Sequence, residues 1–269
     1  MKSEKKSKII FTLLAIVFIA MFCFSITPKT LQNDTYYTVK IGEYIYENGI
    51  SDLTTDQYSW HDLPYTYPHW LYDLFIYLIY SKLGYYGIYF STIITYVVLC
   101  LTIYYVSLKL IKNEFFPIIL SIICVFRLSM FAVARAQLIS LICFVLEFYF
   151  IYRIIETGKK RYSVGIFFLC ILIANVHATV WPFFFILFLP FFAEHIISLV
   201  GKKYFQLSSY FKLKIDGIPH IKMLFFTFII SLFLGILSPS KICYTYIFKV
   251  MMGNSQKLLL EHLPLTVIE

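Results

Sequence analysis

Long apolar runs separated by short polar segments set the pattern of this chain. The first covers residues 9–26, and others cover about 87–108, 138–155, 164–174, 180–200 and 223–237. A further run opens at Phe115 and carries Arg127, which is expected to interrupt it. The run over 180–200 contains Pro182 and Pro190. Most of these runs approach the ~20 apolar residues that carry a helix across a bilayer. A backbone in lipid must satisfy its own hydrogen bonds, so each run is expected to be helical. The pattern predicts an all-α fold: a polytopic membrane bundle of about seven transmembrane helices.

The stretch between the first two runs is different. Residues 27–68 are polar, with Asp34, Asp52, Asp56 and Asp62 and the turn signals Asn48-Gly49 and Leu63-Pro64. Within it Tyr37, Ile41, Tyr44 and Ile45 recur at helical spacing, which predicts an amphipathic helix on the membrane surface. Leu71, Leu74, Phe75 and Leu78 predict a second such helix over 70–82.

The charges orient the bundle. With the N-terminus in the cytoplasm, the segments left inside carry Lys2, Lys5, Lys6 and Lys8, then Lys109 and Lys112, then Arg153, Lys159, Lys160 and Arg161. The last inside segment holds Lys202, Lys203, Lys212, Lys214 and Lys222. Every inside segment is basic, as cytoplasmic loops are. Residues 27–83 then form a long first extracytoplasmic loop. The net charge of +8 is thus explained by loops and gives no support to a nucleic-acid partner. Hydrophobic residues make up 60% and charged residues 14%, against about a quarter charged in a soluble domain. Five of the six cysteines lie inside apolar runs and none forms a CxxC pair, so neither a disulfide framework nor a zinc site is expected. No small-x-small cleavage site follows residue 26, so the first run is expected to stay as an uncleaved helix.

This topology puts the unusual polar residues on one side: Arg127, Arg135 and Gln137 between two runs, Asn175 and His177 in the next outer turn, and Ser238, Glu261 and His262 after the last. Asp34 follows the first helix closely and is a candidate general base; capping the next helix is the alternative. Asp56 is a candidate binding residue or a turn cap, and His69 and Asp73 open the second loop helix beside Trp70, an interfacial anchor. Arg135 either snorkels to the headgroups or holds a phosphate in its fork of donors. Glu147 sits inside an apolar run, where it needs a partner or an uncharged state.

These residues carry a resemblance. Asp34-Thr-Tyr-Tyr-Thr-Val-Lys-Ile-Gly-Glu-Tyr-Ile, Asn48-Gly49-Ile50, Asp56-Gln-Tyr-Ser59-Trp60, His69-Trp70-Leu71-Tyr72-Asp73 and Gly84-Tyr-Tyr-Gly87 resemble the first periplasmic loop of bacterial GT-C-type membrane glycosyltransferases. The likeness is to the protein mannosyltransferase-like and aminoarabinose transferase-like group. Arg135-Ala-Gln137-Leu-Ile-Ser140 is similar to that group's Arg-Pro-Gln-x-x-Ser, and Asn175-Val-His177-Ala to its Asn-x-His-Gly turn. Gly235-Ile-Leu-Ser238-Pro239 and Glu261-His262-Leu-Pro264 are similar to its Gly-x-x-x-Pro and Glu-Trp-x-Pro stretches. The segments keep the group's order over residues 9–264. Ala136, Ala178 and His262 stand where the group has Pro, Gly and Trp, and Thr38 where many members have His.

The resemblance implies sugar transfer from a polyprenyl-phosphate-linked donor to an extracytoplasmic glycan, lipid or protein acceptor in a bacterial plasma membrane. It implies Asp34 as the catalytic carboxylate, with Arg135, Gln137, Asn175, His177, Asp56, His69, Asp73, Glu261 and His262 as substrate contacts. No cofactor is implied, and no spacing supports a divalent metal. Members of the group continue with further helices, so residues 1–269 read as one incomplete GT-C-like domain. The alternatives are a transporter or flippase of lipid-linked glycans, and a non-catalytic truncated membrane protein.

Overall fold

The computed structural model of the chain describes residues 2–28, 31–50, 55, 58, 66–111, 113, 115–203 and 217–245. Among them every regular element is a helix. Four stretches are long and apolar enough to cross a membrane: Lys6–Ile26, Trp70–Leu110, Gln137–Thr157 and Ala178–Val200. Phe116–Phe131 and Ile221–Leu237 are apolar but shorter. The chain divides into two compact units, one from Met1–Gly49 and Trp70–Tyr152, the other from Ile50–His69 and Arg153–Glu269.

The first unit holds α1 (Lys2–Ile26), α2 (Asn33–Asn48), α3 (Trp70–Leu110), α4 (Phe116–Leu128) and α5 (Gln137–Thr157) as far as Tyr152. Ala15, Ile19 and Cys23 form one stripe of α1, spaced by a helical turn, and are buried with Tyr96, Leu99, Cys100, Tyr104, Val125 and Leu138. Small residues in that stripe let α1 approach its neighbours closely. Its other sides expose Leu13, Leu14, Val17, Phe18, Met21 and Phe24. So continuous an apolar surface suits lipid and is untenable in water. The Tyr96 hydroxyl donates to the carbonyl of Val125, tying α3 to α4.

The two helices expected over 70–82 and 87–108 follow one another directly within α3, separated by non-helical backbone at Gly84 (φ 59, ψ −157). A positive φ there is open to glycine and strained for other residues. Beyond Gly84 the helix continues to Leu110, about 39 Å at 1.5 Å per residue, enough to cross the ~30 Å hydrocarbon core. The helix at Phe115 is short, as expected, and ends one residue past Arg127, which lies in its last turn, where a cation complements the helix dipole.

α2 lies along α3, and Gly42 is the point of closest approach. A Cβ at Gly42 would collide with the Asp73 carbonyl and the Tyr77 Cβ. Gly42→Val is therefore expected to lower stability by about 1–3 kcal/mol, the usual range for overpacking. Thermal unfolding in detergent checks this, with Glu47→Ala as an exposed control on the same helix; an unchanged Tm for Gly42→Val would mean that α2 is free to shift.

The second unit holds α6 (Lys160–Val176), α7 (Trp181–Ile186), α8 (Leu189–Lys203), α9 (Ile221–Leu234) and α10 (Ile242–Thr245). The single run expected over 180–200 is a helix pair, and each proline sits in a first turn, where its missing N–H leaves no hydrogen bond unmade. The Pro190 ring also opposes the carbonyl four residues back, Ile186, which is where α7 stops. α6 packs on α9 through small polar contacts: Thr227 Oγ1 donates to Ser163 Oγ (2.9 Å) and Cys170 Sγ to the Ser231 carbonyl (3.4 Å). Phe185, Phe188, Phe192, Phe225 and Phe228 form an edge-on aromatic stack beside them.

Candidate functional site

In the first unit, Asp34 and Arg135 come together. Asp34 is the second residue of α2, and Arg135 lies two residues before the start of α5. Their separation is 101 residues, and Arg135 Nη2 donates to Asp34 Oδ2. The pair is open to solvent, with the Asp34 side chain 64% and the Arg135 side chain 36% exposed. The N-cap of α2 is Gln32, which makes no side-chain cap hydrogen bond, so Asp34 is not the N-cap but a first-turn residue. Asp34 there holds a cation from the turn before α5.

Arg135 also borders a small cleft, lined among others by Tyr72, Phe75, Ile76, Thr92, Thr95 and Leu138. Apolar side chains and hydroxyls line it together, and among the described residues Arg135 is the only charged one there. Arg135 Nε is buried and, among the described residues, has no hydrogen-bond partner. Gln137, the first residue of α5, is half-buried beside the pair's cation in sequence.

Asp73 has a different place. It is 7% exposed, in the first turn of α3, where α2 packs closely against its backbone at Gly42. A carboxylate so enclosed is poorly placed to meet a substrate. Sequence reading had no signal for this, because α2 and Asp73 lie in different elements.

In the second unit, His69 and His177 meet with ring centroids 4.7 Å apart. His177 ends α6, and its own backbone N–H still bonds the Ile173 carbonyl. The segment before α3 is held against this turn, because the Ala178 N–H donates to the Pro68 carbonyl (2.9 Å). Asn175 is buried and donates its amide to the Ile171 carbonyl one turn back. Asp56, Glu261 and His262 lie outside the described residues. No group of three His, Cys, Asp or Glu side chains converges as a metal site among the described residues.

Burial, and after it the neighbouring His69, push the His177 imidazole down to about 3 from an ordinary 6.5. Unfolded His177 takes up a proton below pH 6.5, while the folded residue stays neutral until about pH 3. Acid therefore favours unfolding: this contribution is complete above pH 6.5 and drains away as pH falls toward 3. The slope is about 1.4 kcal/mol per pH unit below pH 6.5, or roughly 2 kcal/mol between pH 7 and 5. Denaturation midpoints at the two pH values are expected to lie closer together in His177→Gln than in the parent chain. An equal separation in both would place the acid sensitivity elsewhere.

Glu147, in the first unit, is fully buried, and neither of its oxygens has a partner among the described residues. Nothing within the described residues supplies the partner that the sequence calls for. Compared with known proteins, the chain matches no family model, no curated protein and no solved structure.

Proposed function

We propose that the chain is a GT-C-like membrane glycosyltransferase that takes a sugar from a polyprenyl-phosphate donor and passes it to an extracytoplasmic acceptor. One observation carries this reading: the two residues with the needed chemistries, a carboxylate and a guanidinium far apart in sequence, meet at an open surface. Asp34 accepts the proton of the acceptor hydroxyl or amine as that group attacks the anomeric carbon. The bond from that carbon to the phosphate oxygen breaks, and the lipid phosphate leaves with the electron pair. Arg135 stabilises the charge that develops on the leaving phosphate.

Seven crossings fit the reading if α4, α6 and α9 cross as short helices. α4 is extended by a tight turn to Phe131, and bilayers thin locally around short spans. The N-terminus then lies in the cytoplasm of a bacterial cell, and the Tyr36, Tyr37 and Tyr46 rings exposed on α2 sit at headgroup level, where an aromatic ring is half in lipid and half wet. The reading is tested by offering polyprenyl-phosphate-linked hexoses and pentoses to the purified chain in detergent with short glycan, lipid and peptide acceptors. Release of polyprenyl phosphate coupled to sugar transfer is the expected result. Donors moved intact between leaflets of a vesicle, with no sugar transferred, would favour the flippase instead.

A further inference from the structure

The Asp34–Arg135 pair raises a difficulty for catalysis: an oxygen that should accept a proton is already holding a guanidinium. The same contact is a poor fit for the arginine. Asp34 takes a single N–H, at Nη2, and the adjacent Nε is left buried without a partner. A guanidinium is built to give two parallel hydrogen bonds from one edge, and planar or tetrahedral oxyanions accept both. A buried donor left unmade is destabilising in its own right. The phosphodiester of a polyprenyl-phosphate sugar keeps two unesterified oxygens, which satisfy Nη2 and Nε together.

We infer that the pair is a substrate-operated mask: the phosphate of the lipid donor displaces Asp34 from Arg135 and so frees the carboxylate to act. The inference rests on the proposed transfer reading for the role of Asp34, and it adds an order of events, donor before acceptor. A further feature favours the exchange. Both side chains of the pair reach solvent, and exposed ion pairs hold the closed state over the open one by no more than about fivefold. A competing anion with two-point contact therefore has little to overcome, and the mask is a bias that binding reverses.

Carboxyl labelling tests this on the full chain in detergent. A water-soluble carbodiimide and glycine ethyl ester, in excess over added phosphate, modify accessible carboxylates, and mass spectrometry reads the extent at Asp34. Farnesyl-phosphate-linked glucose is expected to raise Asp34 labelling about two- to fivefold, the range set by an exposed pair opening. Farnesol and inorganic phosphate at the same concentration are expected to leave it unchanged. Arg135→Ala is expected to label at the raised level without any addition and to ignore the farnesyl-phosphate-linked glucose. Unchanged labelling of the parent chain with it would overturn the mask, with no variant needed. An equal rise with inorganic phosphate alone would overturn the lipid assignment. The labelling requires no sugar transfer. A chain that exchanges but never transfers sinks the transfer reading alone, and one that transfers without exchange sinks the mask alone.

Discussion

Asp34→Asn is expected to lower sugar transfer by a factor on the order of 10²–10⁴ while the protein folds normally, the range seen when a general base is removed. The geometry makes this a clean test. Asp34 does not cap α2, so the substitution removes no helix-ending hydrogen bond. What it does remove is an exposed ion pair, worth roughly 0.2–1 kcal/mol before screening by salt. The Asn side chain keeps one oxygen to accept from Arg135, which reduces even that loss. Stability should therefore move little and rate should move greatly. Transfer rate and thermal unfolding measured on the same preparation separate the outcomes. Full activity with a lower Tm would reduce Asp34 to a structural ion-pair partner. Asp73 would then be a poor replacement, because it is enclosed where α2 packs on α3.

Substitutions at Glu147 are expected to give effects of opposite sign. Glu147→Leu, which keeps the volume and removes two unpartnered buried oxygens, should raise stability by about 1–3 kcal/mol. Glu147→Lys places an ammonium in the same apolar surroundings with no carboxylate to meet it, and should be destabilising by at least 3–5 kcal/mol or abolish folding. Thermal unfolding in detergent, with membrane yield as a second readout, checks both. Loss of stability in Glu147→Leu would show that the carboxyl has a partner after all. A stabilised Glu147→Leu chain that has lost activity would assign Glu147 a working role, since unfavourable buried groups are retained where function needs them.

The mask and the general base depend on the same contact, so the two experiments inform each other. If Arg135 holds the donor phosphate, Arg135→Lys keeps the charge but loses the two-point edge.

The apolar runs by themselves determined that the chain is helical and that several helices are long enough to cross a membrane, because only such runs can satisfy a backbone in lipid. Tyr37, Ile41, Tyr44 and Ile45 likewise located α2 at the right place in the chain. Ile41 and Ile45 of that face are buried, together with Thr35, Val39 and Gly42, while Tyr37 is exposed. An apolar pattern is blind to Gly42, which has no side chain to count yet sets the contact with α3 by allowing the backbones to touch. The prolines of α7 and α8 were legible as residues, but whether each kinked one helix or opened another depended on where Ile186 ended its turn. Asp34 and Arg135 were each visible as polar residues at helix ends. That they form a pair, and that Asp73 is enclosed where α2 meets α3, were decided by tertiary structure alone. Pairing across 101 residues leaves no local periodicity, because it joins α2 to the turn before α5 and follows no spacing along the chain.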